Sequence, residues 1–163
     1  MKNRILKAAF LMSTILFFIA CNPSKDGEVK TTVNTELIKK EIQEKENEFA
    51  EIFNSGEIKI IGYYAEDAIS FSQSHEPLIG RQAILDYYKS NLDSISSKNT
   101  ISFTTKEVFV FENGDKVLEV GYFKVVNDSN ITINSGNYMS LFEKRHGKYV
   151  SIRDMSVTDI PIE

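Results

Sequence analysis

The hydrophobic period of this chain changes near Thr100, and that change sets the fold class. Beyond it, Ile101, Phe103 and Thr105 alternate with polar residues, Val108 to Phe111 is a continuous apolar run, and Val117 to Val126 makes a second long strand. Strand side chains point to opposite faces in turn, so this alternation marks a sheet with one buried face. Asn113-Gly114 is a tight-hairpin signal, because both residues accept the left-handed backbone that such turns need. Asn127 to Asn130 turns the chain again. Strands near Ile131–Asn134, Asn137–Lys144 and Lys148–Val157 complete a meander, with His146-Gly147 in its last hairpin.

Before Thr100 the period is mostly helical. Thr35 is placed to cap a helix that carries Glu36 in its first turn. Ile38, Ile42, Phe49 and Phe53 share one face of it, Lys and Glu fill the outer face, and Gly56 ends it. A second helix is expected over Glu57 to Ala65, burying Ile58, Ile61 and Tyr64. A short strand follows over Ala68 to Phe71, and a turn through Ser74, His75, Glu76 and Pro77 returns the chain to Leu78-Ile79. Gly80 opens a third helix with Ile84, Tyr88 and Leu92 on one face. Three helices followed by long antiparallel strands is an α+β order. One layer of helices must cover one face of the sheet, so the sheet must curve, and a cavity between the layers is expected.

The N-terminus carries a different message. Lys2, Arg4 and Lys7 precede an apolar stretch of 13 residues, Ala8 to Ala20. A membrane span needs about 20 residues, so residues 1–20 read as a signal peptide. The run Phe18-Ile19-Ala20-Cys21 resembles a bacterial lipobox, with Phe18 where Leu is usual, which implies lipidation of Cys21. Residues 21–34 then form a polar tether and residues 35–163 the domain. Ser24-Lys25-Asp26-Gly27-Glu28 resembles a surface-export signal of some bacterial lipoproteins and reads equally as a solvated linker. The expected location is the bacterial cell envelope, lipid-anchored to a membrane.

Removing the three leader cations leaves 16 Lys and Arg against 23 Asp and Glu, a formal charge of −7. That balance argues against nucleic acid and against electrostatic docking on anionic lipid. Cys21 is the single cysteine, so the domain has no thiol for a disulfide or a zinc site. Only His75 and His146 carry imidazole, and they lack metal-ligand spacing. Neither a metal nor a cofactor is expected.

Five motifs carry a resemblance. Asn54-Ser55-Gly56-Glu57, Tyr64-Ala65-Glu66-Asp67-Ala68 and Gly80-Arg81-Gln82-Ala83-Ile84 lie in the first half of the domain. Gly114–Tyr122 and Gly147–Met155 lie in the second. In this order they resemble the nuclear transport factor 2-like superfamily, in particular its SnoaL-like and ketosteroid-isomerase-like members. The resemblance spans about Thr35 to Pro161. It implies a cone of three N-terminal helices packed in a curved antiparallel sheet, a pocket at the open end, and dimers through the outer sheet face. Ketosteroid isomerase itself uses an Asp base and an oxyanion hole of a Tyr and a protonated Asp. By the resemblance, the base position falls at or near Ser72 and the oxyanion Tyr on Phe49. The oxyanion Asp falls on Tyr138, or on Met139 if the hairpin register slips. Steroid isomerisation by that machinery is therefore not expected.

Glu119 and Asp154 each interrupt an apolar strand. Ile152, Asp154 and Ser156 are expected on one face of the last strand, and Tyr149, Ser151, Arg153 and Met155 on the other. The resemblance turns the Asp154 face into the pocket, and Glu119 shares its face with Val117, Gly121 and Phe123. A carboxylate in a partly apolar pocket has a raised pKa, which suits a general acid or base; a purely structural hydrogen-bonding role is the competing reading. His75, on a Pro-flanked loop, is a further acid–base candidate or a solvated turn residue. Tyr64, Ser72, Tyr88, Tyr138, Ile152 and Ser156 are candidate ligand contacts, with the tyrosines also readable as core. Asp67 is expected to tie the second helix to the next strand. Three functions follow: a binder of a small apolar or amphipathic molecule, an acid–base isomerase, cyclase or hydrolase, or an interaction module working through the outer sheet face.

Overall fold

The structure, a computed structural model, describes residues 33–56, 62–95 and 99–160. The leader, Cys21 and nearly all of the tether lie outside the described residues. So does most of the expected second helix, residues 57–61.

Helix α1 spans Thr35–Asn54 and buries Ile42, Glu46, Phe49, Ala50 and Phe53. Its cap is Asn34 rather than Thr35: Asn34 Oδ1 accepts the Leu37 N–H at 3.1 Å, meeting one of the donors that a helix start leaves unpaired. The domain thus begins inside the stretch assigned to the tether. Helix α2 spans Arg81–Ile95, with Ile84 fully buried. Two α-helices are present among the described residues. Tyr64 and Ala65, expected to end a helix, instead open strand β1, Tyr64–Phe71. Both residues are buried, and so short a buried run does not distinguish a strand from a helix.

The remaining strands are β2 (Leu78–Ile79), β3 (Asn99–Phe111), β4 (Lys116–Asn127), β5 (Thr132–Arg145) and β6 (Lys148–Thr158). They form one curved six-stranded sheet in the order β2-β1-β6-β5-β4-β3. The β3 to β6 meander is antiparallel, but β1 pairs parallel to β6, so the sheet is mixed. The Asn113-Gly114 turn has φ of 57° and 102°, and His146-Gly147 has 52° and 78°, the left-handed geometry their sequences favour.

Helix α1 lies on β3 and α2 on β1. The α1 amides clamp the backbone of the edge strand. Asn54 exchanges two hydrogen bonds with the Ile101 backbone, at 2.9 and 2.8 Å. Gln43 donates to the Phe103 carbonyl at 3.1 Å and accepts the Thr105 N–H at 2.8 Å. An edge strand that would otherwise offer free backbone groups is closed this way.

Bulges set which side chains face inward. In β6, Arg153 opposes Leu141 while Ser151 opposes Phe142, leaving Ile152 as the extra residue. A bulge reverses the alternation beyond it. Tyr149 and Ser151 therefore face the core with almost no exposure, while Arg153 and Met155 face outward. The expectation that Tyr149 shares a face with Arg153 and Met155 is overturned by this one residue. Tyr149 donates instead to the Gly114 carbonyl in the interior. Asp67 lies within β1, not after a helix, and forms a two-pronged ion pair with Arg145 of β5.

Candidate functional site

Between helices and sheet lies a cavity of about 400 Å³. Phe49 stands at the centre of its aromatic wall. Its ring centroid is 4.5 Å from Tyr63, 5.5 Å from Phe103, 5.9 Å from Tyr88 and 6.1 Å from Tyr64. Of the expected ligand contacts, Tyr64, Ser72, Tyr88, Tyr138 and Ser156 line the cavity, and so does Asp154. Ile152 does not; as the bulge residue it packs against the core. His75 is exposed and outside the lining, with its ring 5.4 Å from that of Tyr87.

The two predicted carboxylates belong to separate networks. Tyr64 donates to Asp154 Oδ2 at 2.5 Å, and the Tyr64 and Tyr88 hydroxyls stand 3.4 Å apart. Asp154 Oδ1 is buried without a hydrogen-bond partner. Burial pushes the Asp154 carboxyl up, against weaker opposing help from Ser70 and Tyr64. Glu119 is fully enclosed and absent from the cavity wall. Thr105 and Tyr138 both donate to its Oε1, at 2.6 and 2.8 Å.

Sequence reasoning missed the third carboxylate. Glu46 is 1% exposed on the inner face of α1, borders the cavity, and accepts the Tyr63 hydroxyl at 2.5 Å. Its signal was available: Ile42, Glu46, Phe49 and Phe53 all keep helical spacing, so a glutamate stands inside the apolar stripe. Burial pushes the Glu46 carboxyl well above the usual glutamate range, and the neighbouring Glu119 charge pushes it further. Glu119 is raised too, mainly by burial. Glu119 Oε2 is buried without a hydrogen-bond partner. Each carboxyl is thus held above its ordinary range by burial, and Glu46 also by the charge of Glu119 beside it.

Two glycines shape this end of the sheet. Gly121 pairs with Tyr138 across β4 and β5, and a Cβ there would overlap the Tyr138 ring. Gly136 gives the same room to the Phe123 ring and the Val157 carbonyl. The register places Tyr138 inward and Met139 outward. Among the described residues no group of three or more His, Cys, Asp or Glu side chains is arranged to hold a metal.

This architecture, helices against a curved sheet with the pocket between them, is the nuclear transport factor 2-like fold, also called cystatin-like. A protein of unknown function with a cystatin-like fold from Nostoc punctiforme superposes with a TM-score of 0.66 at 18% identity, covering 78% of this chain and 96% of that one. A ketosteroid isomerase-like protein from Erwinia carotovora atroseptica gives 0.59 at 16% identity, over 75% and 96%. A nuclear transport factor 2-like superfamily protein from Salmonella enterica gives 0.60 at 16%, over 80% and 96%. No family model matches the chain, and no curated protein matches it. At these identities the likeness is one of fold.

Proposed function

We propose that the chain is an envelope protein, anchored to a membrane through an acylated Cys21, whose domain binds a small, largely apolar molecule. One observation carries the binding reading: a cavity of about 400 Å³ walled by aromatic rings, with carboxyl and hydroxyl groups at its inner end. Ligand pockets typically have this size and this mixture of apolar wall and few polar groups. The anchor is supported by the Lys2–Cys21 pattern. Among the described residues no helix is long and apolar enough to cross a membrane. Thermal-shift screening of the full chain in neutral detergent with a panel of small apolar compounds tests the reading. A concentration-dependent rise in melting temperature for some of them supports it; no shift for any overturns it.

An acid–base enzyme is the second reading. It is favoured by Asp154 alone, a cavity-facing carboxyl with a raised pKa beside a tyrosine hydroxyl. It does not extend to the Glu119–Asp154 pair, because Glu119 is sealed behind Tyr138 and Thr105. The outer sheet face supports self-association. Phe71, Met155 and Met139 are opposed in register across β1, β6 and β5, and each remains 38–49% exposed.

A further inference from the structure

We infer that the molecule this cavity takes is a small aromatic or apolar amine, its cationic nitrogen seated against Asp154 and its body among the rings. The inference rests on the binding reading above and narrows it to one chemical class.

Charge is the first argument. Glu46 and Asp154 border the cavity and Glu119 stands behind it, yet no Lys, Arg or His is among the described residues lining it. A carboxylate taken out of water normally keeps a cation beside it. Here the partners are neutral: Tyr64 and Ser70 for Asp154, Tyr63 for Glu46, Thr105 and Tyr138 for Glu119. An anionic ligand would add repulsion to this arrangement. A cation seated at Asp154 would instead favour its ionised form.

Hydrogen-bond capacity is the second. A carboxylate can accept about four hydrogen bonds. Asp154 Oδ2 receives one from Tyr64, Ser70 lies near enough to favour the charged form, and the buried Oδ1 has no hydrogen-bond partner. An ammonium brings up to about three N–H donors, and an alcohol only one. The inner end also holds Ser70 and Ser140, each opposite Asp154 in the sheet register, whose hydroxyls can accept from such a donor.

The walls are the third. Tyr64, Tyr88, Phe49 and Phe103 surround the approach to Asp154. Aromatic faces attract a desolvated ammonium through the ring quadrupole, and the same rings bury an apolar body. Neutral groups such as Ser72, Asn134 and Thr158 complete the lining without competing for the carboxylate.

Calorimetry on the full chain in neutral detergent, corrected for micelles alone, tests this with three probes that share one ring system: naphthylethylamine, naphthylethanol and naphthylacetate. The amine is expected to bind at least about tenfold more tightly than the alcohol, and the acetate not measurably. Asp154→Asn should bring the amine down to the affinity of the alcohol while the alcohol is unaffected. Equal binding of amine and alcohol to the unaltered chain overturns the amine assignment and leaves the binding reading standing. Preference for the acetate does the same, as does an amine preference that survives Asp154→Asn. Failure of all three probes to bind overturns both. The comparison on the unaltered chain decides the matter even if the variant does not fold.

Discussion

Tyr138 reaches Glu119 across a gap that exists because its cross-strand partner, Gly121, has no side chain. The ring lies over the β4 backbone and delivers its hydroxyl to Glu119 Oε1 at 2.8 Å. Gly121→Ala forces the ring off this position. Overpacking of this kind costs about 1–3 kcal/mol, read as a lowered urea midpoint. Adding Tyr138→Ala removes the clash, so the double variant should lose less than the sum of the two single losses. Additive losses would show that the two positions are not in contact.

Stability should fall as pH rises above the ordinary carboxyl range. Burial raises the folded-state pKa of Glu46, Glu119 and Asp154 alike. Above the ordinary glutamate value of 4.5 the unfolded chain has lost these protons while the folded chain still holds some. Their contribution is thus complete below that value and lost as pH climbs through the raised folded values. Glu46→Gln mimics the protonated form and still accepts from Tyr63. It should flatten the dependence of the urea midpoint on pH. A slope equal to that of the unaltered chain would show that Glu46 does not carry the pH dependence.

The amide clamp on β3 should matter more than its partial exposure suggests. Asn54→Ala removes two hydrogen bonds to Ile101 and frees an edge-strand donor and acceptor. A loss of about 1–3 kcal/mol is expected, together with faster aggregation, since an uncovered edge recruits other strands. Chemical denaturation and light scattering measure the two effects separately.

His75→Ala should leave ligand binding and melting temperature unchanged. The residue is exposed on the loop between β1 and β2, and its ring contact is with Tyr87, not with a carboxylate. A loss of binding comparable to that of Asp154→Asn would return His75 to the site.

Met155→Glu places a charge in the middle of the exposed Phe71–Met155–Met139 row. If that face joins two copies, sedimentation should show dimer for the unaltered chain and monomer for the variant, with the melting temperature of the domain little changed.

The element order was legible because hydrophobic period and turn chemistry are local. The α1 stripe and the Asn113-Gly114 and His146-Gly147 hairpins all stand where their residues point. Residues 64–65 were misread because a buried Tyr-Ala pair fits either period when the run is short. The site was partly legible. Tyr64, Ser72, Tyr88, Tyr138, Asp154 and Ser156 line one cavity, while Ile152 and His75 stand apart from it. Glu46 was missed because a glutamate on a Glu-rich helix looks like surface, although its position in the stripe said otherwise.

Sequence alone determined the α+β class, the hairpins, and the burial of carboxylates within apolar strands, because each depends on neighbours a few residues apart. It also carries the Cys21 pattern on which the anchor is proposed. Only the tertiary structure decided the parallel pairing of β1 with β6, the bulge at Ile152, and the meeting of Glu46 with Glu119. Those features join residues tens of positions apart. One extra residue in a strand reverses which side chains face inward, and no local pattern in the chain records where that residue will fall.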